Sequence, residues 1–111
     1  MSDVYTNGNW QPNPGSEHAF VDAWKEFATW ASSMPGAGRL TLVHDLAHPE
    51  RFVSFGRWES IEAVRGWKSS PEFRERIAHV LQHVSDFTPS ELEVIATAEQ
   101  GAATVIETTA V

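Results

Sequence analysis

A chain of 111 residues has room for one domain and a modest core, and its formal net charge of -7 repels nucleic-acid phosphates and anionic lipid surfaces. With no cysteine it can build neither a disulfide framework nor a thiolate metal site. Five Trp and six Phe are more than so small a core requires, which points to a pocket or an interface beside the core.

Met1 is followed by "SDVYTNGN", without the basic segment and apolar stretch of a secretory signal, and no apolar run approaches a membrane span. A soluble, cytoplasmic protein with no nucleic-acid or membrane partner is therefore expected. The first predicted element is a strand over Val4–Gln11, stopped by Pro12, Asn13, Pro14 and Gly15. Asn and Gly are poor strand formers, so "TNGN" reads as a bulged or edge segment, or as a place of close approach. Thr6, Gly8 and Trp10 share one face, a candidate pocket wall, while Asn7 and Asn9 point the other way.

Ser16 offers an N-cap to a helix whose buried stripe is Phe20, Trp24, Phe27, Ala31 and Met34, ended by Pro35 and Gly36. A second strand is expected over Arg39–Leu46, turned by "AHPE" into a third, Arg51–Trp58. In that third strand Phe52, Ser54, Gly56 and Trp58 lie on one face and Val53 and Phe55 on the other, so neither face reads as wet. Ser60 caps a short helix, "IEAVRGWK", and Ser70 with Pro71 starts another with the stripe Phe73, Ile77, Val80, Leu81 and Val84. A fourth strand is expected over Ser90–Ala98. No internal repeat stands out, and residues 99–111 read as a tail, disordered or exchanged with a partner subunit.

The order strand, helix, strand, strand, helix pair, strand is the split βαβ arrangement of an α+β, ferredoxin-like domain over residues 1–98. Its helices cover one sheet face. The apolar residues on the other predict a homodimer that pairs two sheets as an α+β barrel.

The strings "FVSFGRWES", "EAVRGW" and "SPEF", with "PG" after the first helix and "LVHDLAHP" in the second strand and turn, resemble the antibiotic biosynthesis monooxygenase family from about Tyr5 to about Ala98. The resemblance implies a dimeric ferredoxin-like barrel. In the family's best-understood members it implies oxidation of polycyclic phenols or anthrones to quinones by molecular oxygen, with no metal, flavin or haem. The expected partners are thus a small electron-rich aromatic substrate and oxygen, and no cofactor is expected. Such chemistry asks for a dry aromatic pocket, a base near the phenol and donors that hold the anion.

On this resemblance Trp58 stands at the family's strand-end tryptophan, and His44 falls where a quinone-forming relative has a histidine near its substrate. These are the two candidate catalytic residues, His44 as base because imidazole titrates near neutrality. Ser54 stands where that relative carries an asparagine and, with Trp10 and Trp67, is a candidate substrate-binding residue. The relative's pocket tyrosine corresponds to Val64, and the one tyrosine here is Tyr5. Other readings are a non-catalytic dimeric barrel that binds a small ligand, and a haem-degrading enzyme of the same fold. Against haem, the axial position counted from Trp67 is Arg76, with His79 and His83 three and seven residues later. Glu75, His79 and His83 form one ridge of the last helix, but Val80 stands where zinc proteases place glutamate, so a solvated ridge is expected there, not a metal site.

Overall fold

The computed structural model describes residues 3–106. Its elements run β1 (Val4–Pro12), α1 (Glu17–Ala31), β2 (Ala37–His44), β3 (Phe52–Trp58), α2 (Ile61–Lys68), α3 (Pro71–Leu81), β4 (Val84–Glu93), β5 (Ala96–Glu99) and β6 (Ala102–Val105). The first three strands taken with β4 form one antiparallel sheet in the order β2-β3-β1-β4, with the three helices against one face. This is the ferredoxin-like α+β fold, and β5 and β6 form a separate two-stranded hairpin.

Alternation along the strands sorts their side chains cleanly. Val4, Thr6, Gly8 and Trp10 of β1 turn toward the helices and are buried, whereas Tyr5, Asn7 and Asn9 lie on the outer face and are half-buried. In β3, Phe52, Gly56 and Trp58 turn inward and are buried, and Phe55 and Arg57 face out. The core between sheet and helices is completed by Phe20, Trp24, Phe27 and Ala31 of α1, Val64 and Trp67 of α2 and Val80 of α3. Four of the five tryptophans are buried, with Trp30 partly so.

Several boundaries differ from the sequence expectation. Helix α3 ends at Leu81, so Val84 is not part of its stripe; it opens β4 and pairs with Pro12. The fourth strand begins six residues earlier than Ser90, because Pro89, which reads as a breaker, lies in an edge strand where a missing N–H is tolerated. Only Ser60 caps with its side chain, accepting from Ala63 N at 3.1 Å; Ser16 and Ser70 make no such bond. Ser70 Oγ instead donates to the Trp67 carbonyl, and Pro71 opens α3. Of the expected tail, residues 102–105 are strand β6, and residues 107–111 lie outside the described part of the chain.

Candidate functional site

The sheet beneath the helices carries one pattern twice. Thr6, Gly8 and Trp10 succeed each other on the inner face of β1, and Ser54, Gly56 and Trp58 do so on the inner face of β3. The strands run antiparallel in a register that opposes Thr6 to Gly56 and Gly8 to Ser54. Each tryptophan therefore lies two residues beyond a glycine, diagonally across from the hydroxyl on the neighbouring strand. Trp10 Nε1 donates to Ser54 Oγ at 2.9 Å, and Trp58 Nε1 donates to Thr6 Oγ1 at 3.2 Å. The glycines let the rings lie this low: a Cβ on Gly8 would stand 2.7 Å from Trp10 Nε1 and 2.9 Å from Ser54 Oγ.

Above this floor lies a cavity of about 290 Å³, at the small end for a ligand pocket. Its wall is largely aromatic, with Trp10 and Phe87 from the sheet, Trp24 and Phe27 from α1, Trp67 from α2 and Phe73 from α3. Trp10 stacks on Phe87 with centroids 3.9 Å apart, and Trp67 stands edge-on to Phe73. Thr6, Ser54 and Lys68 carry its polar side chains apart from the indoles, since the Asn7 side chain lies on the outer sheet face. Lys68 reaches Glu91 Oε2 at 3.0 Å, and both side chains of this pair are partly exposed.

The polar inventory is lopsided. Trp67 is only 5 % exposed, yet its indole N–H has no acceptor, the one buried side-chain polar atom among the described residues left so. The Ser54 and Thr6 hydroxyls each receive an indole N–H and pass no hydrogen bond on to another described group. No Asp, Glu or His is among the residues around the cavity. The site is rich in donors and poor in bases.

Of the residues singled out from the sequence, Trp10, Ser54 and Trp67 meet around this cavity. Trp58 is fully buried one layer behind it, stacked on Trp67 with centroids 4.7 Å apart. His44 is exposed and stands outside the lining, its ring stacked on Phe52 at 4.4 Å and its Nε2 against the Pro49 carbonyl. Val64 is fully buried, and Tyr5 lies on the outer sheet face. Sequence reasoning passed over Thr6 as a partner of Trp58, although the repeat of Thr or Ser, any residue, Gly, any residue, Trp in "TNGNW" and "SFGRW" was visible. It also passed over Lys68, Phe73 and Phe87, which reach the cavity only through tertiary packing.

On α3, Arg76 is bonded to Glu72 and lies 4.9 Å from the centroid of the Trp30 ring. His79 is exposed, His83 lies beyond the end of α3 and is partly buried, and no group of three or more potential ligands that could hold a metal occurs among the described residues.

A family model described as antibiotic biosynthesis monooxygenase matches residues 4–79. No curated protein sequence matches the chain. Among solved structures, SnoaB, a cofactor-independent oxygenase from Streptomyces nogalater, superposes with a TM-score of 0.76 at 18% identity, covering 90% of this chain and 96% of its own. A protein from Mycobacterium tuberculosis gives 0.73 at 19% identity, covering 90% of this chain and 100% of its own. A conserved protein from Methanosarcina mazei Go1 gives 0.74 at 14% identity, covering 82% and 91%. At these identities the likeness is one of fold.

Proposed function

Because the chain belongs to the antibiotic biosynthesis monooxygenase family, we propose that it is a cofactor-independent monooxygenase that oxidises a flat, electron-rich aromatic of the phenol, anthrone or hydroquinone type. The observation that carries this reading is the aromatic cavity over the paired tryptophans and their hydroxyls. Aromatic walls accept a flat ring, and exclusion of water strengthens each hydrogen bond made to a charged oxygen. The likeness to a cofactor-independent oxygenase supports the same reaction class.

The chemistry needs only the substrate's own electrons. The ionised substrate passes one electron to oxygen, and the resulting carbon radical and superoxide combine to a peroxide anion. That anion takes up a proton, then loses water together with the remaining hydrogen on the same carbon. The balance is a CH₂ or aromatic C–H oxidised to C=O, with one oxygen atom in the product and the other in water. The protein's share is to bind the ring, hold the negative oxygen and keep water from quenching the intermediates. With His44 outside the lining, the first proton leaves to solvent, so turnover follows the substrate's own ionisation and rises with pH through it.

A homodimer belongs to the same proposal. The outer sheet face exposes Val43, Phe55 and Leu92, and the asparagines at its centre are partnered within the chain. Arg51 donates to Asn9, Asn9 to Asn7, and Asn7 to the Ser54 carbonyl, so a second copy can cover these side chains without stranding them.

The test is oxygen uptake by chelator-treated protein with anthrones, naphthols and hydroquinones, beside His44→Ala. Uptake that survives chelation and the His44 variant supports a cofactor-free reaction with solvent as base. Loss of uptake in His44→Ala alone restores His44 as the base. No uptake across the panel overturns the oxygenase in favour of a ligand-binding barrel.

A further inference from the structure

We infer that the two tryptophan-to-hydroxyl bonds are a reciprocal clasp that turns the Thr6 and Ser54 hydroxyl hydrogens toward a single oxyanion bound in the cavity. The inference rests on the aromatic-substrate reading and deepens it, by assigning the residues that hold the negative oxygen and the part that Trp58 plays from behind the wall.

A serine or threonine hydroxyl has one hydrogen and two lone pairs, and it rotates to suit its partners. Left alone on a sheet, it turns its hydrogen to the nearest acceptor. Here each oxygen receives an indole N–H, from Trp10 at 2.9 Å or from Trp58 at 3.2 Å. A hydroxyl that accepts on one side is left to donate on another, and neither finds an acceptor among the described residues. Both residues line the cavity. Accepting from an N–H also polarises the O–H and strengthens the bond it goes on to make.

The register makes the two arms one device. Thr6 faces Gly56 and Gly8 faces Ser54, so the hydroxyls are diagonal neighbours on adjacent strands, related by a local two-fold between Asn7 and Phe55. Diagonal positions on one sheet face lie within about 7–8 Å, a span that one oxygen bound between two side chains can bridge. Trp67 and Lys68 line the helix side of the same cavity, Lys68 with its ammonium paired to Glu91. What such a set selects is an acceptor-only oxygen, a phenolate or enolate in preference to its neutral acid. Thr6 and Ser54 touch that oxygen; Trp58 and Trp10 act through them as positioning residues.

The probe is 4-nitrophenol, whose anion and neutral form are told apart by their absorbance, titrated with the intact protein across pH. The wild type is expected to bind the anion in preference, so that the bound dye ionises at lower pH than the free dye. Thr6→Val and Ser54→Ala should each reduce the anion preference roughly tenfold, as befits a hydrogen bond to a charged oxygen. Trp58→Phe should lower the preference in the wild type and change nothing further in a Thr6→Val background, which a purely structural tryptophan would not do. If Thr6→Val fails to fold by near-ultraviolet circular dichroism, Ser54→Ala with Trp10→Phe carries the same comparison on the other arm. No anion preference in the wild type, binding of neither form included, overturns the clasp. So does a preference unchanged in the hydroxyl variants, or an equal effect of the tryptophan change in both backgrounds. The titration needs no turnover: the clasp can fail while oxygen uptake stands, and uptake can fail while the dye preference stands.

Discussion

An alanine at Gly8 would place its Cβ 2.7 Å from Trp10 Nε1, 2.9 Å from Ser54 Oγ and 3.0 Å from Phe87, closer than packed carbons approach one another. None of these is the free end of a flexible chain: Trp10 is buried and stacked on Phe87. Gly8→Ala should therefore cost about 1–3 kcal/mol of stability by overpacking. It should also break the Trp10 to Ser54 bond; urea unfolding reads the first effect and the dye titration the second. An alanine that left both unchanged would mean that the floor yields more easily than its contacts imply. The sequence offered "TNGN" first as a bulged or edge segment and second as a place of close approach, with Trp10, Ser54 and Trp67 as candidate substrate-binding residues; β1 is instead an interior strand with unbroken register there. The sequence could not reveal that Trp58 lies behind the wall, because inward alternation along a strand does not say which inward residue meets the cavity and which is covered by a helix. Trp67, from α2, is what covers it.

Between β2 and β3, one carboxylate organises the turn. Asp45 Oδ1 accepts from the N–H groups of Ala47 and His48 at 2.8 and 3.1 Å, while Oδ2 pairs with Arg51 at 3.0 Å. The Ala47 N–H first, then Arg51, hold its carboxyl below the ordinary value of 3.8. Folding thus favours the ionised form. The stabilisation is present above the ordinary carboxylate pKa and is lost as pH falls through the lower folded value. Asp45→Asn should be slightly less stable than the wild type at neutral pH, and the gap should close in strong acid, as thermal melts from pH 7 to pH 2 would register. A gap independent of pH would assign the role to shape instead of charge. At this scale the existence and type of α1, α2, α3 and β1 to β3 were legible from hydrophobic period and turn residues. The start of β4 was not, since a proline reads as an end unless the strand's edge position is known. The split between β4 and β5 was equally hidden in the continuous alternation of "SELEVIATA".

The chain measures 43 × 37 × 22 Å with a radius of gyration of 15.2 Å, against about 13 Å for a compact domain of this length. It is a slab with one bare face and a hairpin whose residues are exposed on both strands. A second copy across that face would bring two sheets together between two helical layers, and equilibrium sedimentation should give twice 12.3 kDa. Val43 is 41 % exposed on the outer face and stands apart from the cavity lining. Val43→Asp should return the species to one chain mass, whereas a wild type that sediments as a monomer would dismiss the pairing. The double-sided apolar pattern of β3 made the bare face readable from the sequence, but no sequence period reports the volume a cavity encloses. The five indoles, distributed through this slab, give the molecule a built-in gauge. In a proton–nitrogen correlation spectrum each indole N–H contributes one peak. The protons of Trp10 and Trp58, each tied to a hydroxyl, should be slow to exchange with deuterium. The proton of Trp67, buried without an acceptor, should resonate upfield of them, and since this ring lines the cavity its peak should shift when a ligand arrives, so occupancy can be read with no dye and no reaction.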